Sequence, residues 1–190
     1  MKKRRIVGIR SELGERGFTL LELLMATVII LVGLVAVAQL VPTSVLLNSN
    51  NRSDATALVF AQRMMEAMRS QSLSATEYVD PQFIPCNAAN TCLLGDSTQP
   101  SILVGAPVNA ASGSPIIDFS AAPVAGYSFT YIDPNDPLGA TYDVRWAIVT
   151  RTNDNTAAGY VTSKRLILGV FRRRINTATL PVTLDTMVSK

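Results

Sequence analysis

The chain contains no histidine and only two cysteines among its 190 residues. Without histidine it lacks the commonest general base near neutral pH and a leading metal ligand. Two cysteines alone cannot supply the usual zinc sets. No nucleophile–base pair, metal-ligand cluster or phosphate-binding loop stands out along the chain. Neither a catalytic residue nor a cofactor is therefore expected. Charged residues make up only 16% of the chain, and they are unevenly placed. Up to Gly17 there are six basic and two acidic residues, net +4, while the remainder holds eleven basic and twelve acidic, net −1. The basic character thus sits in a short leader. The near-neutral body gives little support for electrostatic binding of nucleic acid.

What is abundant is apolar sequence, concentrated between Phe18 and Val41. Within it the only strongly polar side chains are Glu22 and Gln39. Thr19 and Thr27 can return their hydroxyls to a helix backbone. A helix over these positions spans about 36 Å at 1.5 Å per residue, against roughly 30 Å for a bilayer core. The Lys/Arg excess before it puts the N-terminus in the cytoplasm and the body outside. Two conventional readings exist. In one, Ala36-Val37-Ala38 is a small-residue cleavage site that releases a body starting at Gln39. In the other, the segment is an uncleaved anchor.

A third reading rests on Arg16-Gly17-Phe18-Thr19-Leu20-Leu21-Glu22. This run, after a basic leader and before an unbroken apolar block, resembles the class III signal of type IV prepilins and pseudopilins. The resemblance implies cleavage between Gly17 and Phe18 by a prepilin peptidase, retention of the apolar helix, and N-methylation of Phe18. It also implies that Glu22, fifth in the mature chain, meets the terminal amine of a neighbouring subunit and sets register. A carboxylate in a membrane segment is a functional hypothesis by default. The alternative is a snorkelling carboxylate with no partner. The stretch from Ala57 to Arg69 is similar, more loosely, to PilV-type minor pilins and to I-type minor pseudopilins of type II secretion.

Pro42 lacks a backbone donor and is expected to kink or interrupt the helix. Ser53 or Asp54 could cap a restart. Leu58, Ala61, Met65 and Met68, widened by Phe60, Met64 and Ala67, predict an amphipathic stretch from about Ser53 to Ser72, packed on a sheet. Ser70 to Pro123 reads as a variable loop region with one or two short strands. It holds Cys86 and Cys92. Outside the cytoplasm so close a pair is expected to form a disulfide, with two free thiols as the other reading; their spacing excludes a redox Cys-x-x-Cys.

Three alternating runs follow: Tyr127, Phe129, Tyr131; then Tyr142, Val144, Trp146, Ile148 against Asp143 and Arg145; then Leu166, Leu168, Val170. They predict an antiparallel meander with one face on the helix. Asp133 to Pro137 and Asn153 to Asn155 read as turns, weak as calcium ligands. Arg172 to Arg174 read as a solvated strand edge, or as charges used in subunit packing.

The expected fold class is α+β: a long N-terminal helix against a C-terminal antiparallel sheet, pilin-like. The expected organisation is a cleaved leader at 1–17, an assembly helix at 18–41, its amphipathic continuation at 42–72, a disulfide-bearing loop region at 73–125 and a sheet at 126–190. The expected protein is a minor type IV pilin, not an enzyme. It is anchored in the inner membrane with its body in the periplasm, then assembled into a filament. Its partners would be other pilins, the prepilin peptidase and the inner-membrane assembly platform. The runners-up are a minor pseudopilin of type II secretion and, from another class, a membrane-anchored periplasmic binding domain or enzyme. An adhesive or DNA-uptake component is a further variant.

Overall fold

The computed structural model describes residues 17–78, 86, 91–110, 113–134, 139–173 and 180–189. The basic leader before Gly17, the turn positions Asn135 to Pro137, and Arg174 lie outside the described residues. The architecture is α+β, consistent with a pilin-like fold: one long N-terminal helix and a C-terminal antiparallel sheet. The chain divides into two units, Met1–Leu47 and Asn48–Lys190.

Helix α1 runs Leu20–Ser70 with Pro42 inside it. Of the kink or interruption expected at Pro42, the interruption does not occur, residues 42–70 continue the helix, and neither Ser53 nor Asp54 caps a new one. A proline costs the ladder one donor. Next to it, the Thr43 hydroxyl donates to the carbonyls of Gln39 at 3.2 Å and Leu40 at 2.8 Å. A neighbouring hydroxyl thus serves backbone oxygens on the turn that the proline disturbs. In the first unit the apolar side chains of α1 are exposed throughout. This helix is long and apolar enough to cross a membrane, with a mean hydropathy of 2.8 over its best window.

In the second unit α1 buries Ala57, Phe60, Ala61, Met64, Met65 and Met68. These positions recur at three- and four-residue steps and share one face. Each fully buried methionine or phenylalanine contributes about 1.5–3 kcal/mol over exposure. The stripe differs from the expected one at Leu58, which is 41% exposed. Each helical residue turns about 100°, so a stripe centred on Ala57, Ala61 and Met68 leaves Leu58 at its margin.

Beyond α1 come strands β1 (Glu77–Tyr78), β2 (Cys92–Leu93), β3 (Leu103–Gly105), β4 (Val108–Asn109) and β5 (Ile116–Ile117). The loop region therefore holds more strand than expected. Strands β6 (Ser128–Ile132), β7 (Thr141–Thr152), β8 (Val161–Arg173) and β9 (Val182–Ser189) follow. The main sheet has the order β3-β7-β8-β9, with β6 also on β7, and every pairing is antiparallel. β3 and β6 share one edge of β7, opposite Ala147 to Val149 and Thr141 to Arg145 respectively. The alternations around Phe129, Trp146 and Leu168 correspond to β6, β7 and β8. The fourth strand, β9, carries Val182, Leu184 and Val188 toward the core but was not expected; Asp185 and three Ser/Thr residues dilute its pattern.

One sheet face packs on α1 through Tyr142, Val144, Trp146, Ile148, Leu166, Leu168 and Val170. Tyr131 stacks on Phe60 with centroids 4.3 Å apart, and the Tyr142 hydroxyl donates to the Ser53 carbonyl at 3.2 Å. The sequence reading assigned one face to the helix and made no assignment for the other, which the structure covers as well. Asp143 and Arg145 are both buried. Residues 106–110 and 113–121 cross that face, where Ala106 and Ile117 pack on Ala147 and Ile167. Gly169 makes the crossing possible: a Cβ there would lie 2.8 Å from Ile117 and 2.9 Å from Phe119. Arg145 pairs with Asp143 at 2.9 Å and donates to the Ala121 carbonyl at 2.6 Å, while its guanidinium lies 5.2 Å from the Phe119 ring centroid. A buried charge of this kind needs a partner and filled donors, and Arg145 has both.

Candidate functional site

The segment singled out in the sequence lies at the start of α1. Gly17, Phe18 and Thr19 are outside the helix, and Leu20 is its first residue. The Glu22 N–H donates to the Thr19 hydroxyl at 3.2 Å, and the Leu23 N–H to the Thr19 carbonyl at 3.1 Å. Thr19 is therefore the N-cap, satisfying one of the donors that a helix start leaves free. The sequence reading had Thr19 bonding back to the helix as Thr27 does. Thr27 does donate to the Leu24 carbonyl, at 2.8 Å, but Thr19 accepts instead. Its signal was present in the sequence: Thr19-Leu20-Leu21-Glu22 has the Thr-x-x-Glu spacing of a helix start.

This geometry has chemical consequences. The Gly17–Phe18 peptide bond lies in non-helical backbone just before the cap. A Cβ at Gly17 would meet nothing within 4 Å, and Phe18 is 82% exposed. A peptidase needs an accessible peptide without helical hydrogen bonds, and this bond provides one. Glu22 occupies the third helical position, where a negative charge opposes the positive end of the helix dipole. An amine released on Phe18 would add a second positive charge at that end, with Glu22 one turn away.

Within the body, Cys86 and Cys92 form a disulfide with their Cα atoms 5.3 Å apart. It lies in the core that includes Trp146 and Met64. Lys164 is a group that the sequence reading did not single out. Placed on β8 in the alternation of Leu166 and Leu168, it is buried, and its amine donates to the carbonyls of Ala75 and, at 2.8 Å, Leu94. Burial pushes its pKa down to about 8 from 10.5. The folded chain thus releases this proton before the unfolded chain does. Between pH 8 and 10.5 the unfolded state holds more protons, so stability rises with pH across that window. Burial also raises Tyr127 and Tyr131 above 10.0, which acts in the opposite direction above pH 10. Denaturant unfolding should therefore show the native chain gaining stability from pH 8 toward pH 10, with the gain missing in Lys164→Met.

Among the described residues, no group of three or more His, Cys, Asp or Glu could hold a metal ion. The turn at Asn153 to Asn155 is closed by its own bonds. The Asp154 carboxylate accepts from the Thr156 N–H at 3.0 Å and the Asn153 side chain from the Tyr160 N–H at 3.1 Å.

Comparison with known proteins bears on the N-terminal segment. Residues 13–38 match the family model described as the prokaryotic N-terminal methylation motif. No curated protein and no solved structure matches the chain. The motif implies processing by a prepilin peptidase, anchoring in a membrane and assembly with other pilins. It points to a structural pilin-type protein. From its capped helix start and this match, the chain carries the class III signal of type IV pilins and pseudopilins.

Proposed function

We propose that the chain is a minor type IV pilin. It enters the inner membrane through the apolar part of α1 with its body in the periplasm. The peptidase removes residues 1–17, Phe18 is N-methylated, and the mature chain joins a pilus or its tip complex through the assembly platform. Residues 18–41 then pack against the same segment of other pilins, with Glu22 setting register, while 42–72 carries the loop region and sheet. The observation that supports this most is the exposed, non-helical Gly17–Phe18 bond directly before a capped apolar helix, inside the methylation motif. Charge separation fits the same reading. Cleavage removes a net +4 and leaves a subunit near neutrality.

Mass spectrometry of the mature N-terminus from the native host tests this directly. Methylated Phe18 is the expected result. A chain starting at Gln39 would overturn the proposal, and an intact Met1 would mark a plain anchor. The second reading is a minor pseudopilin of type II secretion. The body is large for a simple I-type pseudopilin, which favours the pilus. Recovery of the chain in sheared surface filaments separates the two.

A further inference from the structure

Residues 92–95 cross the α1-facing side of the main sheet without belonging to it. Strand β2 pairs only with the two-residue β1. The other backbone bonds of this segment run to loops: Leu93 N–H to the Gly126 carbonyl at 2.8 Å, and Leu94 N–H to the Thr76 carbonyl at 2.7 Å. Beneath it lie the buried groups of the sheet. The Trp146 indole N–H donates to the Leu93 carbonyl at 2.8 Å, and the Lys164 amine to the Leu94 carbonyl at the same distance. Gly95 sits so close that a Cβ there would be 2.7 Å from the Thr150 hydroxyl and 2.9 Å from Ile148. Cys92 begins the segment and is bridged to Cys86; the two are 3% and 0% exposed.

Two forces oppose closure of this segment. Covering Lys164 strips water from an ammonium that receives only carbonyl oxygens in return, which is costly for a charge. Arg69, a charge of the same sign, lines the same small cavity. In the reduced chain, two unbonded thiols also need more room than a bridged pair, at a place already closely packed. Set against this are the short backbone pairing, the bonds to Gly126 and Thr76, and the burial of Leu94; the disulfide adds a covalent tether at the start of the segment.

We propose that residues 92–95 are an oxidation-locked strap. Forming the Cys86–Cys92 disulfide closes it over Trp146 and Lys164, and without the disulfide it lifts from both while the helix–sheet core persists. The step is thiol–disulfide exchange with a disulfide oxidant. One cysteine thiolate attacks the oxidant and displaces its first sulfur as a thiol. The second cysteine attacks the mixed disulfide and displaces the other. Two electrons pass to the oxidant, and the two thiol protons end on its sulfurs or in solvent. Closure then shields the bridge, so the native strap resists reduction.

The test uses the full chain in detergent micelles, oxidised, beside the Cys86→Ala/Cys92→Ala double variant. Trp146 is the sole tryptophan and donates to the Leu93 carbonyl, so its emission responds to opening of the strap, read together with protection of the core. Amine labelling of Lys164, located by peptide mass spectrometry, reports the second latch, and hydrogen exchange of the β7–β8 amides reports the core. The variant should label Lys164 roughly tenfold faster or more, as local opening without global unfolding allows. Its tryptophan emission should shift to the red while β7–β8 protection is kept. Unchanged labelling and emission would overturn the proposal. Loss of β7–β8 protection would overturn it as well, because the bridge would then hold the whole body and not a strap.

Discussion

Glu22→Gln is expected to remove the chain from filaments while leaving membrane insertion, cleavage after Gly17 and the α1 start intact. The substitution separates two roles that alanine would mix. Glu22 sits at the third helical position behind the Thr19 cap. In that place a carboxylate contributes about 0.3–1 kcal/mol through the helix dipole, and glutamine retains the reach of a capping side chain. An intersubunit pair with the Phe18 amine is a larger effect, about 4 kcal/mol for unit charges 4 Å apart at an effective dielectric of about 20. Only the charge supplies it. Thr19→Ala is the matching control: it loses about 1 kcal/mol of cap and keeps the carboxylate. Quantifying each variant in sheared filaments against the membrane fraction decides the matter. Incorporation should fall to roughly a tenth or less for Glu22→Gln and stay near native for Thr19→Ala. Equal incorporation of both would remove the register role.

Trp146→Ala should cost the body about 3–5 kcal/mol, the range for deleting a large buried aromatic side chain. Trp146 is 1% exposed and lies between Tyr127 and Phe129, with centroids 6.1 and 5.8 Å away. Its removal leaves a void among rings that belong to different elements, and it leaves the Leu93 carbonyl without the indole donor. Domains are stable by about 5–15 kcal/mol, so the loss is a large share of the total. Thermal unfolding followed by circular dichroism should show a midpoint lowered on the order of 10 °C. Trp146→Phe keeps most of the ring volume and should lose less than half as much. A midpoint unchanged in Trp146→Ala would mean that the sheet does not depend on this contact.

The two predictions fall on parts of the chain that differ in how far sequence could describe them. The N-terminal segment was legible because its information is local. Gly17, Phe18, Thr19 and Glu22 lie within six positions, and the apolar run after them has no competing pattern. At Pro42, where a kink or an interruption was expected, the helix is not interrupted. β6, β7 and β8 were legible through recurrence of aromatic and branched residues at every second position. β9 was not, since Asp185 and its threonines weaken the period-two signal of a strand exposed on one side.

Composition and order along the chain thus determined an apolar helix with a processing signal at its start, an α+β body and a paired set of cysteines. The tertiary structure alone decided which polar residues are buried. Alternation places Asp143 and Arg145 on the face away from α1, but it cannot say that residues 106–110 and 113–121 return to cover that face. Lys164 alternates with Leu166 and Leu168 as an ordinary strand residue would. Its burial depends on carbonyls of Ala75 and Leu94, distant in sequence and brought together only by folding. Periodicity reports which side of an element a residue occupies; what covers that side is set by contacts between segments far apart in the chain.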